Sequence, residues 1–263
     1  LLAADADIAS DAALLERTVR EAGALALKMF RTDIRQWTKG ASSPVSEADI
    51  AVDELIRRRL QSATPDYGWL SEESADDRTR LTKQRIWIID PIDGTRAYLA
   101  GREDWSISAA LVEEGTPRLA AVFAPASDEF FFAGEGGGAT RNGAAIKAST
   151  GSGIDIDRMA GPHVLLNRAR GTTSPELKNF KIGSLALRIS RVAQGALDAA
   201  FVGGNSRDWD LAAADLLLRE AGGRLTTLRG DALVYNRVEV THEVLLAAGA
   251  ERHAYLVRHL AAH

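Results

Sequence analysis

Cysteine is absent from the 263 residues, which excludes disulfides, thiolate nucleophiles and Cys-based zinc or iron-sulfur sites. No apolar run approaches the ~18 residues of a membrane span, and the opening LLAADADIASD is too short of basic residues and too broken by Asp for a signal-peptide core. Opening on Leu rather than Met leaves the natural start undecided. Charge of one sign is not gathered anywhere: 36 acidic against 32 basic residues leave a formal charge of −4 without a long block of either. That argues against a nucleic-acid polymer as partner, although local metals or backbone donors still bind small anions whatever the net charge. Histidine is sparse too, with no two of the five (His163, His242, His253, His259, His263) at a metal-ligand spacing near a motif. The expectation is a soluble, cytoplasmic chain, and 46% hydrophobic residues suffice for one large domain or two sharing a core.

From Asp11 to Phe30 apolar residues recur at the helical period, with Ser10 or Asp11 placed to cap the start. The loop KGASSP follows, and Ser46-Glu47-Ala48-Asp49 opens a second helix through about Gln61, so two helices are expected before any strand. RIWIID, SISAALVEEG, PRLAAVFAP and EFFFAG then read as neighbouring, mostly antiparallel strands, with a turn at Asn142-Gly143. SGIDIDRMAGP marks a boundary, dividing the chain near residues 1–150 and 151–263. Beyond it HVLLN and VLLAAG read as short strands, and Ser184 to Gln194, Trp209 to Ala221 and Glu251 to Ala261 as helices.

The stretch that carries chemistry is WIIDPIDGTRAYL. Ile86 to Ile89 suit a strand covered on both faces, and Pro91 is expected to end its ladder, leaving Asp90 at the strand's end. Asp90 and Asp93, three apart across a Pro-containing turn, can aim both carboxylates and the Ile92 carbonyl into one small volume. Like charges so close need a proton or a cation, and an all-oxygen site suits Mg²⁺. Gly94 and Thr95 then offer backbone N–H groups as a phosphate seat. A solvated Asp-Pro turn explains the same residues equally well. The DxDGT of haloacid-dehalogenase phosphatases, with its nucleophilic Asp, is one residue shorter and does not fit.

A two-metal site needs further carboxylates. Glu72 and Glu73 in WLSEES, Asp49 in the capping pattern of SEAD, and Asp210 after Trp209 at a helix start are the candidates. Each has a structural explanation of its own: an acidic loop, a capping box, a carboxylate on a helix dipole. Together they match a pattern. Asp49, then Glu72-Glu73, then Asp90-Pro91-Ile92-Asp93-Gly94-Thr95, then Trp209-Asp210 with eleven residues before Gly222-Gly223 resemble the signature of the Mg²⁺-dependent, lithium-sensitive inositol monophosphatase superfamily.

That resemblance implies an α+β fold of αβαβα layers and a homodimer acting on a small phosphorylated metabolite. Glu72, Asp90 and the Ile92 carbonyl would hold one Mg²⁺, and Asp90, Asp93 and Asp210 a second. A third, weaker ion would sit near Glu72, and Li⁺ is the expected inhibitor. Asp49, Thr95 and Glu72 are the expected catalytic side chains, Gly94 and Thr95 would bind phosphate, and Gly183, Ser184 and Leu185 the substrate's organic part. Water would attack directly, with no phosphoenzyme. The Glu that animal-type inositol monophosphatases use upstream of the WD motif is missing from Asp198 to Gly204, and Arg96 stands where a small polar residue is usual. SPVSEAD and DWDLAAAD resemble bacterial 3'(2'),5'-bisphosphate nucleotidases instead. Inositol monophosphate and histidinol phosphate are the alternative substrates, and a non-catalytic phosphometabolite sensor is the alternative of another class.

Overall fold

The computed structural model describes residues 2–39, 43–153, 155–170 and 181–261. Helix α1 (Leu2–Met29) buries the stripe Leu15, Val19, Ala22 and Ala26. It begins well before the expected cap, and Asp11 lies inside it, its carboxylate accepting from the Tyr67 hydroxyl at 2.8 Å. Strands β1 (Gln36–Lys39) and β2 (Ser43–Ser46) pair antiparallel ahead of α2 (Glu47–Ala63), so the expectation of two helices before any strand is corrected. Every residue of β1 is exposed, so no apolar alternation announces it. Residues 40–42 of the expected KGASSP loop lie outside the described residues. The SEAD capping box is formed at α2, with Asp49 accepting the Ser46 N–H at 2.8 Å.

A seven-stranded sheet follows in order β3 (Gly68–Ser71), β4 (Arg85–Asp93), β5 (Ser106–Glu113), β6 (Thr116–Ala124), β7 (Glu129–Gly134), β8 (Ala139–Arg141) and β9 (Ala144–Ala145). Only β3 and β4 run parallel; the other neighbours are antiparallel, as expected. The short α3 (Thr95–Leu99) links β4 to β5. Next come β10 (Met159–Ala160), α4 (His163–Arg170), α5 (Leu185–Ala193), β11 (Ala199–Val202), β12 (Ser206–Arg207), α6 (Asp208–Glu220), β13 (Gly223–Thr227), β14 (Thr241–His242), β15 (Leu245–Gly249) and α7 (Ala250–Ala261). The order β10-β11-β15-β13 makes a second sheet, and β12 pairs with β14. HVLLN, expected as a strand, is α4: the Pro162 carbonyl accepts from Leu165 and Leu166, and Val164 is 78% exposed while Leu166 is buried.

Period-two alternation stacks these elements into five layers. Trp87, Ile89, Ala109, Leu111 and Ala121 face α1 and α2, whereas Ile86, Ile88, Ala110, Val112 and Val122 face α5 and α6. In the second sheet Ala200, Val202, Leu245 and Ala247 face the same middle helices, and Phe201, Leu246 and Ala248 pack toward α4 and α7. The order is αβαβα. Helix α6 is therefore shared by both sheets, which fixes its N-terminus relative to the end of β4.

Packing between α1 and the large sheet is tight enough to decide a substitution. A Cβ on Gly23 would lie 2.2 Å from Cε1 of the Phe123 ring. Ala favours a helix interior by ~1 kcal/mol over Gly, but overpacking costs ~1–3 kcal/mol, so Gly23→Ala is expected to lower the urea midpoint. A raised midpoint would show that the ring swings aside freely.

Candidate active site

Two adjacent parallel strands and one helix bring the carboxylates together. Asp90 continues the alternation of Ile86 and Ile88, so it faces the middle layer that holds α6. A three-residue offset would ordinarily send Asp93 to the opposite face. It does not, because β4 bulges there: Asp90 pairs with Ser108 but Asp93 with Ser106, three residues against two. Pro91 sits in this bulge rather than ending the ladder, which corrects the expected strand end. Asp90 Oδ1 accepts the Ile92 N–H at 3.1 Å across the turn.

The serines opposite these aspartates tie the second half of the chain to the first. Ser108 donates to the Trp209 carbonyl at 3.1 Å, fixing the start of α6 beside Asp90. Ser106 Oγ lies 2.8 Å from Ser184 Oγ, which donates to Asp93 at 2.6 Å. Asp93 also accepts the N–H groups of Leu185 (3.1 Å) and Ala186 (2.6 Å), so it caps α5 from another element. Asp210 folds back on its own helix start, accepting the Arg207 N–H at 2.6 Å. The result is that Asp90, Asp93 and Asp210 each place a carboxylate oxygen within 4.8 Å of the others.

Glu72 follows the end of β3, beside β4, and its N–H donates to the Ile89 carbonyl at 3.3 Å. Lys39 of β1 reaches the Glu72 carbonyl and lies 3.5 Å from the Glu73 carboxylate. Asp49 Oδ1 accepts from the Thr95 hydroxyl at 3.1 Å, and that hydroxyl also lies 3.1 Å from the Ile92 carbonyl. Gly94, in the left-handed region at φ 93°, makes the corner into α3; a Cβ there would lie 2.9 Å from the Ser184 nitrogen. The first amides of α3, at Gly94 and Thr95, precede any intrahelical acceptor.

The electrostatics are those of a site short of positive charge. Burial pushes the Asp90 carboxyl well above its ordinary range, and Glu72, Asp93, Asp210 and Asp49 each push it further. Burial likewise raises Asp210, with Asp93 adding to it. Glu72 is pushed up to about 7 by burial and by Glu73, Asp93 and Asp49, against only Lys39. Asp49 rises through burial despite its bonds from Ser46 and Thr95. Several carboxylates this close are stable only if protonated or bridged by cations. Their donor set is all oxygen, and each carboxylate keeps lone pairs beyond its one to three framework bonds, so the residues fit hard divalent ions such as Mg²⁺.

Residues 7–263 match the model of the inositol monophosphatase family. The chain belongs to that family. It is 35% identical over 206 residues to an inositol-1-monophosphatase of Rhizobium meliloti, covering 73% of this chain and 75% of the relative. It is 33% identical over 240 residues to a 3'-phosphoadenosine 5'-phosphate phosphatase of Mycobacterium bovis, covering 88% and 86%. The Thermotoga maritima IMPase structure superposes with a TM-score of 0.79 at 26% identity, covering 100% of this chain and 98% of that one. Family and fold therefore agree with the layered α+β architecture, and place the chain among the phosphoric monoester hydrolases. Among the described residues no helix is long and apolar enough to cross a membrane.

Of the residues singled out in the sequence, Asp90, Asp93 and Asp210 meet directly, Glu72 and Asp49 lie within electrostatic reach of them, and Thr95 links Asp49 to the Ile92 carbonyl next to Gly94. Gly183, Ser184 and Leu185 border this cluster differently from expectation. Gly183 and Ser184 donate their N–H groups to Asp104 and Leu185 to Asp93, so these amides are turned inward. Sequence reasoning missed Ser106 and Ser108, although their two-residue spacing on a strand predicts a common face. It also missed Arg188, a cation in the first turn of α5, where the helix dipole opposes it. Such a placement is itself a signal of an anionic neighbour.

Proposed function

We propose that the chain hydrolyses a small phosphate monoester carrying a second anionic group, with a 3'(2'),5'-bisphosphate nucleotide as the expected substrate. The observation that carries this reading is Arg188. Its guanidinium lies within electrostatic reach of Asp93 and donates to the Ile182 carbonyl at 2.8 Å, yet its Nε is buried and, among the described residues, has no hydrogen-bond partner. Arg188, Arg102 and Lys181 line a cavity of about 280 Å³ together with Gly183. A buried unpaired donor costs ~1–3 kcal/mol, which a second phosphate on the substrate would relieve. An inositol or histidinol monophosphate offers no such group. The 3'-phosphoadenosine 5'-phosphate phosphatase relative supports the same choice.

In this reading Glu72, Asp90, the Ile92 carbonyl, Asp93 and Asp210 would hold two Mg²⁺ ions, which when bound would supply positive charge to the phosphate and to the oxygens that enter and leave. Thr95 and Asp49 orient the attacking water, and the Asp49 carboxylate takes its proton. Gly94 and Thr95 amides face the phosphate oxygens. Water attacks phosphorus as the ester oxygen leaves in line, so no residue of the chain is phosphorylated. Residues 1–150 supply every metal-, water- and phosphate-binding group except Asp210, and the substrate surface comes from 151–263 together with Arg102. A third ion near Glu72, inhibition by Li⁺ and a homodimer belong to the same proposal.

Phosphate release from a 3'(2'),5'-bisphosphate nucleotide, inositol 1-phosphate and histidinol phosphate, with and without Mg²⁺ and Li⁺, tests it. The bisphosphate is expected to have the highest kcat/KM. Arg188→Gln should raise its KM ~10-fold, the ~1.4 kcal/mol of one charged contact, and leave inositol 1-phosphate unaffected. Preference for inositol 1-phosphate, with both substrates weakened equally by Arg188→Gln, would overturn the substrate reading. Full turnover in excess chelator would overturn the role of Mg²⁺.

A further inference from the structure

Glu72 and Glu73 sit on a short bend after β3, and the bend is held from an unexpected direction. Asp53 lies on α2 one turn beyond Asp49, so the two carboxylates share a face of that helix. It is only 6% exposed. One of its oxygens accepts from the Ser71 hydroxyl, and the other accepts from the Ser74 hydroxyl at 2.8 Å. Those two serines flank Glu72-Glu73 on either side. The clasp continues outward: Ser71 Oγ accepts the Glu73 N–H at 3.3 Å, and Ser74 Oγ accepts the Trp69 indole N–H at 3.2 Å. Besides this clasp, the bend is tied to the framework by Glu72 N–H on β4 and by Lys39.

We infer that Asp53 is a positioning residue for metal binding: it grips both ends of the Ser71–Ser74 bend and so sets where the Glu72 carboxylate stands relative to Asp90. The geometry explains why a carboxylate is kept at this buried position. A carboxylate has two acceptor oxygens on one rigid plane, and two hydroxyls three residues apart need an acceptor each. An apolar residue would pack equally well but leave both hydroxyls unpaired and the bend free to shift. Because α2 also carries Asp49, one rigid helix places both the water-orienting carboxylate and the bend that carries Glu72. The two cannot drift independently.

This inference rests on the reading of Glu72 as a metal ligand, so its test separates the two. Mg²⁺ binding to the purified full chain is measured by titration calorimetry, with the melting temperature of the metal-free chain alongside, for Asp53→Ala, Asp53→Asn, Ser71→Ala/Ser74→Ala and Glu72→Gln. Outer partners that orient a metal ligand are worth ~10–100-fold in affinity, so Asp53→Ala is expected to weaken Mg²⁺ binding at least ~10-fold. Asp53→Asn, which keeps one acceptor and can donate from its amide, should recover most of that loss. The double serine variant should reproduce Asp53→Ala, and adding Asp53→Ala to it should cost nothing more. If Glu72→Gln weakens Mg²⁺ binding while Asp53→Ala and the double serine variant lower only the melting temperature, the clasp is purely structural and the inference is overturned. If Glu72→Gln itself leaves Mg²⁺ binding unchanged, the ligand reading fails first. Should Asp53→Ala not fold, the double serine variant and Asp53→Asn decide the question alone.

Discussion

Asp90→Asn is expected to lower turnover at least ~10³-fold, a loss of ~4 kcal/mol in the barrier, and at the same time to raise the melting temperature of the metal-free chain. The two effects have one cause. Asp90 is 1% exposed and sits against Glu72, Asp93, Asp210 and Asp49, all of which oppose its ionisation. Asn is the same size and keeps an acceptor for the Ile92 N–H, so the bulge of β4 is preserved. What it removes is one buried negative charge among several. Without metal that removal stabilises, and ~1 kcal/mol corresponds to ~2–4 °C for a chain of this size. With metal it removes one of the proposed ligands from the Asp90, Asp93 and Asp210 cluster. Steady-state phosphate release and thermal melting in chelator check both halves, and an unchanged or lower melting temperature would show that the charge cluster carries no strain.

The second large effect is the pH dependence of stability, whose direction Mg²⁺ should reverse. Glu72 stands at about 7 in the folded chain against an ordinary 4.5, and the fully buried Asp215 at about 6 against 3.8. Both are raised by burial first, so the folded state holds more protons than the unfolded state between these values. Stability is therefore full below about pH 4 for these groups and is lost as pH rises toward 7. Asp90 and Asp210, both raised by burial first, act in the same direction. His253 acts in the opposite sense: burial lowers it to about 4 from 6.5, so its neutral folded form loses stability as pH falls across that interval. The carboxylates outnumber it, and the metal-free melting temperature should fall from pH 5 to pH 8. Mg²⁺ binds the ionised forms, so its stabilisation grows with pH; at ~100 times the dissociation constant it adds ~2.7 kcal/mol, or ~5–10 °C. A metal-free melting temperature that climbs from pH 5 to pH 8, or no response to Mg²⁺ at pH 8, would contradict this account.

The site was more legible in the sequence than the elements that hold it. Asp49, Glu72, Asp90, Asp93 and Asp210 stand out because carboxylates beside strands and helix starts need a reason. The bulge that turns Asp93 toward Asp90 is invisible in the same residues, since Pro91 equally marks a strand end. Strand β1 lacks any buried residue, so Gln36 to Lys39 reads as loop. HVLLN is too short for periodicity to separate strand from helix, and the preceding Pro162 was the better guide. Asp11, read as a cap, is instead an interior residue bonded to Tyr67, a contact 56 positions away that no local pattern predicts. Asp53 and Arg188 were passed over because single charges on amphipathic helices ordinarily face water. Here Asp53 instead holds the bend that carries Glu72, and Arg188 lies within electrostatic reach of Asp93.

The sharing of α6 between two sheets has a consequence for how the molecule is made. Asp210 is the last carboxylate of the candidate site to emerge, 117 positions after Asp93, and it arrives at the tip of a helix whose length is enclosed on both sides. Contacts between segments so far apart form late, because loop closure must be met before they reward it. The Asp90, Asp93 and Asp210 cluster is thus complete only when both sheets have closed on the middle layer. A nascent chain holds Asp49, Glu72, Asp90 and Asp93 before Asp210 is placed, so on the proposed ligand set full-affinity binding of a divalent ion would report on the finished fold.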